Sequence, residues 1–222
     1  MSVIILSAGV GNRIKSNEPR SLLKIGNKTL IEHQIDTINS CISNCEIIGV
    51  FGYSIEKIVK KVAEKLRIVE NQMYETTNNS ESLRLAVNNT NRKSVLFVHG
   101  DLYFNEDTLK NVNFKKSFLL VDTKEMMKQK EIGVTIQNKK ATILSYNLPT
   151  KWCQVAFFTG KELKMLKSTL NKLRGSQKKL LSFEIINKLI SMGANFQCHE
   201  PDKMSILEID CIKDLKNENF NL

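Results

Sequence analysis

The stretch Val3–Glu32, VIILSAGVGNRIKSNEPRSLLKIGNKTLIE, decides how this chain is read. Val3-Ile4-Ile5-Leu6 is an apolar, largely β-branched run without polar alternation, the pattern of a strand buried on both faces of a parallel sheet. It runs into Ser7-Ala8-Gly9-Val10-Gly11-Asn12-Arg13, a loop of small residues with two glycines and a cation. Glycine permits φ > 0 and lets a ligand approach where a Cβ would clash. Successive N–H groups in such a loop form a concave anion site, to which Arg13 adds a bidentate clamp on phosphate oxygens. Lys15, Arg20, Lys24 and Lys28 follow, so the next segment is densely positive. Together these features predict a polyphosphate site, although a tight turn with no ligand uses Gly-x-Gly as well. The third glycine of the dinucleotide fingerprint falls at Ile14, and no Gly-Lys-Ser/Thr closes the loop, so neither of those phosphate motifs is present.

Working outward, Leu30 to Ile42 places apolar residues at 30, 31, 35, 38 and 42, a helical spacing. Glu46–Phe51 reads as a strand. Ser54 is expected to cap a helix over 55–66, with Ile55, Ile58, Val59, Val62 and Leu66 on one stripe. Arg67–Glu70 is a short third strand. Strand, helix, strand, helix, strand is the alternation of a parallel sheet with right-handed crossovers. Asn78 and Asn79 open a further helix to about Val87. Val95–Val98 then drives into His99-Gly100-Asp101, which sets a carboxylate where ligands of open α/β sheets bind. Asp101 also suits a plain Gly-Asp turn, and His99 reads as a packed strand residue.

The remainder alternates less. Phe118–Asp122 is a strand, and 134–136 with 141–144 form a hairpin around Asn138-Lys139-Lys140. Gln154–Gly160 is another strand, followed by helices near 161–173 and 182–193. Trp152 is expected just before that strand, its indole either packed or offered as a face for a quaternary ammonium. Near the C-terminus Glu208 and Asp210 lie two apart on a predicted strand and share a face, as a solvated acidic pair or as metal ligands.

The 222 residues can bury a sizeable core as one α/β domain or two small ones. No run of about 18 apolar residues suggests a membrane span, and no basic region followed by an apolar one suggests secretion. The five scattered cysteines (41, 45, 153, 198 and 211) lack zinc spacing, and a reduced, cytoplasmic compartment is expected. The formal charge of +10 fits either nucleic-acid binding or solvated helix faces around a site for anionic substrates. The lysines are spread along the chain without interleaved aromatics, which favours the second reading and no nucleic-acid partner.

Leu6-Ser7-Ala8-Gly9-Val10-Gly11-Asn12-Arg13-Ile14, Pro19-Arg20-Ser21-Leu22 and Gly26-Asn27-Lys28-Thr29-Leu30-Ile31, in that order, resemble the signature of the nucleotidyltransferases that make nucleoside-diphosphate sugars and cytidylyl alcohols. In pattern the chain is most similar to CTP:phosphocholine cytidylyltransferases. The resemblance implies an α/β fold, a Rossmann-like, mostly parallel sheet flanked by helices, of glycosyltransferase-A-like type with a small acceptor-side hairpin region. It implies one domain over 1–222, with 1–110 binding nucleotide and 111–222 binding the acceptor. Leu6 to Arg13, with Asn79 and Ser82, would bind a nucleoside triphosphate; Arg13, Arg20 and Lys24 would be the catalytic cations. Asp101 and Asp210, with Glu208 as an outer ligand, would hold Mg²⁺, and Trp152 would face the phosphorylated acceptor. One departure stands out: the family's lysine after proline is Arg20 here. The implied reaction joins CTP to a phospho-alcohol with release of pyrophosphate. A sugar 1-phosphate with dTTP, UTP or GTP is the alternative, and the arginine motivates a third reading, a catalytically silent nucleotide-binding protein. Only five residues separate Arg13 from Pro19, a short connection that favours CTP.

Overall fold

A computed structural model describes residues 1–9, 18–124 and 131–209. In chain order the elements are β1 (Ser2–Ser7), β2 (Lys24–Ile25), β3 (Lys28–Thr29), α1 (Leu30–Cys41), β4 (Glu46–Phe51), α2 (Ile55–Val62), β5 (Arg67–Glu70), α3 (Asn79–Asn88), β6 (Ser94–His99), β7 (Leu102–Phe104) and α4 (Asp107–Lys110). They continue with β8 (Phe118–Asp122), β9 (Ile132–Gln137), β10 (Lys140–Tyr146), β11 (Thr150–Thr159), α5 (Gly160–Asn171), α6 (Ser182–Ser191), β12 (Gln197–His199) and β13 (Ile206–Glu208).

The apolar run at the N-terminus becomes the strand expected of it. Val3, Ile4 and Ile5 are 0% exposed, and they alternate between two cores, Val3 and Ile5 on one face and Ile4 with Leu6 on the other. β1 therefore lies inside a nine-stranded sheet, of order β5-β4-β1-β6-β11-β8-β12-β10-β9. The strands β5, β4, β1 and β6 pair in parallel, as the alternation predicts. Past β6 the sheet is mixed: β11 runs antiparallel to both β6 and β8, while β12 is parallel to β8. Helices α1, α2 and α4 cover the face of Val3, and α3, α5 and α6 cover the face of Ile4.

Local details depart from the sequence reading. Ser54 precedes α2 in the left-handed region at φ 49° and its side chain makes no cap, so the helix begins without one. The same helix ends at Val62, and Leu66 reaches the core from the turn beyond it. Around the hairpin turn Asn138 and Lys139 have φ of 52° and 62°, the two left-handed centres of a turn whose twist matches its strands. Trp152 lies within β11, which starts four residues before Gln154. A bulge between Trp152 and Ala156, with Gln154 at φ 57°, breaks the period-two pattern there. β13 stops at Glu208, and Asp210 lies outside the described residues. Among the described residues no helix is long and apolar enough to cross a membrane.

Candidate functional site

The turn that carries Asp101 is fixed from three sides. Gly100 N–H donates to Leu6 O at 2.8 Å, and a Cβ on residue 100 would meet Ser7 Cβ at 2.4 Å, so only glycine lets the turn lie against the end of β1. Gln34, 1% exposed on the inner side of α1, donates its Nε2 to His99 O at 2.9 Å and Leu102 O at 2.7 Å. Ile209 N–H donates to Asp101 O at 2.8 Å, where β13 pairs antiparallel with β7. Four backbone groups of this irregular segment thus find partners within the protein, and Asp101 is held at the carboxyl end of the parallel strands.

Arg20 comes to the same place by a different route. It begins a single 3₁₀ turn, Arg20–Leu22, just before the β2–β3 hairpin. Leu23, Ile25 and Leu30 of that region pack with Leu207 and Ile209 into a small third core, which ties the Arg20 segment to β13. Arg20 Nη1 donates to Asp101 Oδ2 at 3.0 Å, the two side chains being 18% and 20% exposed. The other carboxylate oxygen, Asp101 Oδ1, is buried and has no hydrogen-bond partner among the described residues. Lys24, the other cation considered, is exposed on β2 and does not line the cavity described next.

A cavity of 260 Å³ opens beside Asp101. The start of α3 supplies Asn79, β6 supplies His99, and β11 supplies Trp152 and Gln154; Ser182 and Phe183 open α6, and Glu208 ends β13. Gln154 reaches Glu208, donating Nε2 to Oε2 at 2.6 Å. His99 Nε2 lies 3.0 Å from Ser182 Oγ, and burial holds its imidazole below the usual range, against the pull of Asp101. Glu131 and Tyr146 complete the wall, Glu131 paired with the buried Lys151 at 3.1 Å and Tyr146 edge-on to Phe183. Trp152 is 2% exposed, its indole N–H given to Val155 O at 3.2 Å and its ring set against Phe97 and His99, so packing occupies most of it.

The structure thus brings Arg20, Asp101, Glu208, Asn79 and Trp152 to one end of the sheet. Leu6 and Ala8 are buried in the core; Ser7 abuts Gly100. Gly9 is exposed, without positive φ, and a Cβ there would meet no described atom within 4 Å. Ser82 turns inward, 3% exposed, and accepts from Asn71 Nδ2 at 3.1 Å, away from the cavity wall. Val10, Gly11, Asn12, Arg13 and Asp210 lie outside the described residues. Among the described residues no three His, Cys, Asp or Glu gather as a metal site; the carboxylates that line the cavity are Asp101, Glu131 and Glu208. Sequence reasoning overlooked Gln34, Gln154, Glu131 and Ser182. Gln34 alone had a signal, a polar residue on the stripe Ile31, Ile35 and Ile38.

A sheet whose parallel strands end at a carboxylate turn, extended by mixed strands and flanked by helices, is the glycosyltransferase-A-like fold of nucleotidyltransferases. Residues 3–113 match the MobA-like NTP transferase domain, and the chain belongs to that family of nucleotidyltransferases. The solved structure of CTP:phosphocholine cytidylyltransferase from Streptococcus pneumoniae superposes with a TM-score of 0.80 at 22% identity, over 97% of this chain and 96% of that one. The nucleoside-diphosphate-sugar pyrophosphorylase from Vibrio cholerae RC9 does so with a TM-score of 0.74 at 16% identity, over 98% of each. In sequence, the bifunctional protein GlmU of Blochmanniella pennsylvanica is 28% identical over 151 residues, 65% of this chain and 32% of that protein. The chain therefore spans about a third of that curated relative's length.

Proposed function

We propose that this nucleotidyltransferase uses Mg²⁺ and CTP to cytidylylate a phosphorylated small alcohol of cationic, phosphocholine-like type, releasing pyrophosphate. The observation that carries the metal is the buried Asp101 Oδ1 without a hydrogen-bond partner among the described residues, in a cavity that Glu208 also lines. A hard divalent cation prefers oxygen ligands, usually one or two carboxylates completed by water and substrate phosphates. Asp101 and Glu208 fit that demand, with Asp210 assigned beside them from the sequence. Bound there, Mg²⁺ would neutralise charge on the triphosphate.

The chain's own residues have the remaining work. The acceptor phosphate is already anionic at neutral pH, so its oxygen attacks the α-phosphorus in line and pyrophosphate leaves without a strong base. Positioning and charge neutralisation dominate such a reaction. Arg20, which bonds to Asp101 of the cavity wall, is assigned to the α-phosphoryl oxygens, with Lys24 as the alternative cation. Arg13 and the N–H groups of residues 8–12 are assigned to the β- and γ-phosphates.

The wall carries the aromatic rings of Tyr146 and Phe183 beside the carboxylate of Glu208, with Glu131 balanced by Lys151, and its rings suit an ammonium headgroup better than a neutral sugar. The sugar 1-phosphate reading is supported by the amides of Asn79 and Gln154 in the same wall, and by the fold shared with a sugar-nucleotide enzyme. We read the chain as one domain working in the cytoplasm, its nucleotide half over 1–110 and its acceptor half over 111–222. Pyrophosphate release with each NTP, Mg²⁺ and a panel of phospho-alcohols and sugar phosphates tests the proposal. Release with CTP and an aminoalcohol phosphate is the expected result. Release only with sugar phosphates would replace the acceptor, and none with any pair would favour a silent nucleotide-binding protein.

A further inference from the structure

Asp101 is a carboxylate whose surroundings cannot retreat from it. Its turn is anchored by Gln34, Leu6 and Ile209, whereas its cationic partner is a guanidinium on a long, flexible side chain. One carboxylate oxygen is taken by Arg20 and the other is buried without a hydrogen bond among the described residues. A carboxylate that is 20% exposed, with one oxygen sealed from solvent, is stabilised by a nearby cation. A divalent ion on Oδ1 and the guanidinium on Oδ2 would stand as two cations on one carboxylate and repel each other, so they compete for Asp101, and the guanidinium holds it when no nucleotide is present. Phosphate oxygens offer Arg20 a planar, bidentate partner that matches its fork, which a lysine's point charge would not match equally.

We propose that Arg20 is a positioning residue that occupies Asp101 in the nucleotide-free protein and surrenders it to the metal when nucleotide phosphates draw the guanidinium away. This rests on the metal assignment above and goes beyond it: nucleotide and metal then favour each other's binding, and that coupling is reciprocal. The arginine found where the family pattern has lysine becomes the device that stops the metal from binding alone.

Mn²⁺ binding to the full chain, without nucleotide, tests it by the loss of the free-ion electron paramagnetic resonance signal. Arg20→Gln is expected to bind Mn²⁺ about tenfold tighter than the wild type, a typical coupling size. Arg20→Lys, which keeps a cation and protects the fold, is expected to fall between them. Introducing Asp101→Asn into Arg20→Gln should abolish the gain. Should neither Arg20 variant bind Mn²⁺ more tightly while Asp101→Asn still weakens binding, the competition is refuted and the metal site stands. Should Asp101→Asn change nothing in any background, the ion binds elsewhere and the metal assignment falls with it.

Discussion

The parallel and mixed parts of the sheet build their shares of the cavity by different means. In the parallel part, most site residues stand where strands end: Ser7 closes β1, His99 closes β6, and Asp101 sits in the turn that follows, with Asn79 added from the start of α3. In the mixed part they come from inside a strand or from helix starts, with Gln154 raised on a bulge in β11 and Ser182 at the first turn of α6. Parallel strands all deliver their carboxyl ends to one edge, so chain direction alone gathers the chemistry. Antiparallel strands deliver opposite ends, and a side chain must be aimed into the cavity by local distortion. The cavity is thus half topology and half irregularity.

If that contrast holds, the largest single effect belongs to the parallel part. Asp101→Asn keeps shape and hydrogen-bonding capacity but removes the charge that Arg20 and the proposed metal share. Turnover is expected to fall by about 10²–10³, roughly 3–4 kcal/mol of transition-state stabilisation. Retention of more than about a tenth of wild-type kcat would mean that the strand-end carboxylate is not the metal ligand. Thermal unfolding of the same variant is expected to shift far less than its activity.

The support beneath that carboxylate gives the next effect. Gln34→Leu preserves approximate volume on the buried side of α1 but leaves His99 O and Leu102 O without their donor. Two stranded buried carbonyls cost about 2–3 kcal/mol, readable as a lower urea midpoint at unchanged slope. A loss below about 0.5 kcal/mol would show that the turn is held by its other bonds, Gly100 to Leu6 and Ile209 to Asp101.

Most of the parallel part was legible in the sequence, and the reason is that its signals are local. Val3–Leu6, Glu46–Phe51 and Val95–Val98 are apolar runs that only a doubly covered strand accommodates, and Gly100-Asp101 marks where one ends. Gln34 escaped because a polar residue on a buried stripe is explained only by carbonyls far away in sequence. The mixed part hid more. A bulged strand breaks the period of two, so the pattern marks β11 only from Gln154 onward and hides that Trp152 belongs to it. Left-handed backbone at a glutamine carries no compositional mark, since such positions normally go to glycine or asparagine. Glu131 reaches the cavity from just before β9, a place that periodicity does not reveal. The carboxylate assigned to Asp210, like the phosphate loop from Val10 to Arg13, lies outside the described residues.

The third prediction sharpens the comparison through pH. Glu32 lies in the first turn of α1 in a capping box, accepting from Thr29 N–H at 3.0 Å and Thr29 Oγ1 at 2.8 Å, with Lys61 and Lys65 nearby. Burial alone would raise its pKa, but the Thr29 bonds and the two lysines outweigh it and hold the carboxyl down at about 2. A depressed carboxylate stabilises the fold above its unfolded pKa, near 4.5, and loses that contribution as pH falls toward about 2. The parallel part is therefore expected to lose about 2 kcal/mol across that window, with one proton taken up on the side chain of Glu32. In Glu32→Gln the wild-type advantage should be present at pH 7 and vanish near pH 2. An advantage that persists unchanged at low pH would place the stabilisation in packing instead of charge.

The smallest effect separates strain from function in the mixed part. Gln154 sits at φ 57°, a left-handed conformation that costs a residue with a Cβ about 1–2 kcal/mol relative to glycine, and its amide is spent on Glu208. Two substitutions divide these properties. Gln154→Ala keeps the strained backbone and deletes the amide; Gln154→Gly deletes the amide and relaxes the backbone. Both should lose activity to a similar extent, about tenfold in kcat/KM for the acceptor, because Glu208 loses the donor that orients it. Their stabilities should differ, with the glycine variant unfolding later by about 1 kcal/mol, partly offset by the greater freedom of its unfolded chain. Equal stabilities would mean that the bulge stores no strain. Undiminished activity in both would mean that the distortion serves packing alone, and the mixed part would then meet the cavity through strand ends as the parallel part does. Strain that lowers stability while it orients a cavity carboxylate is what the contrast between the two parts requires.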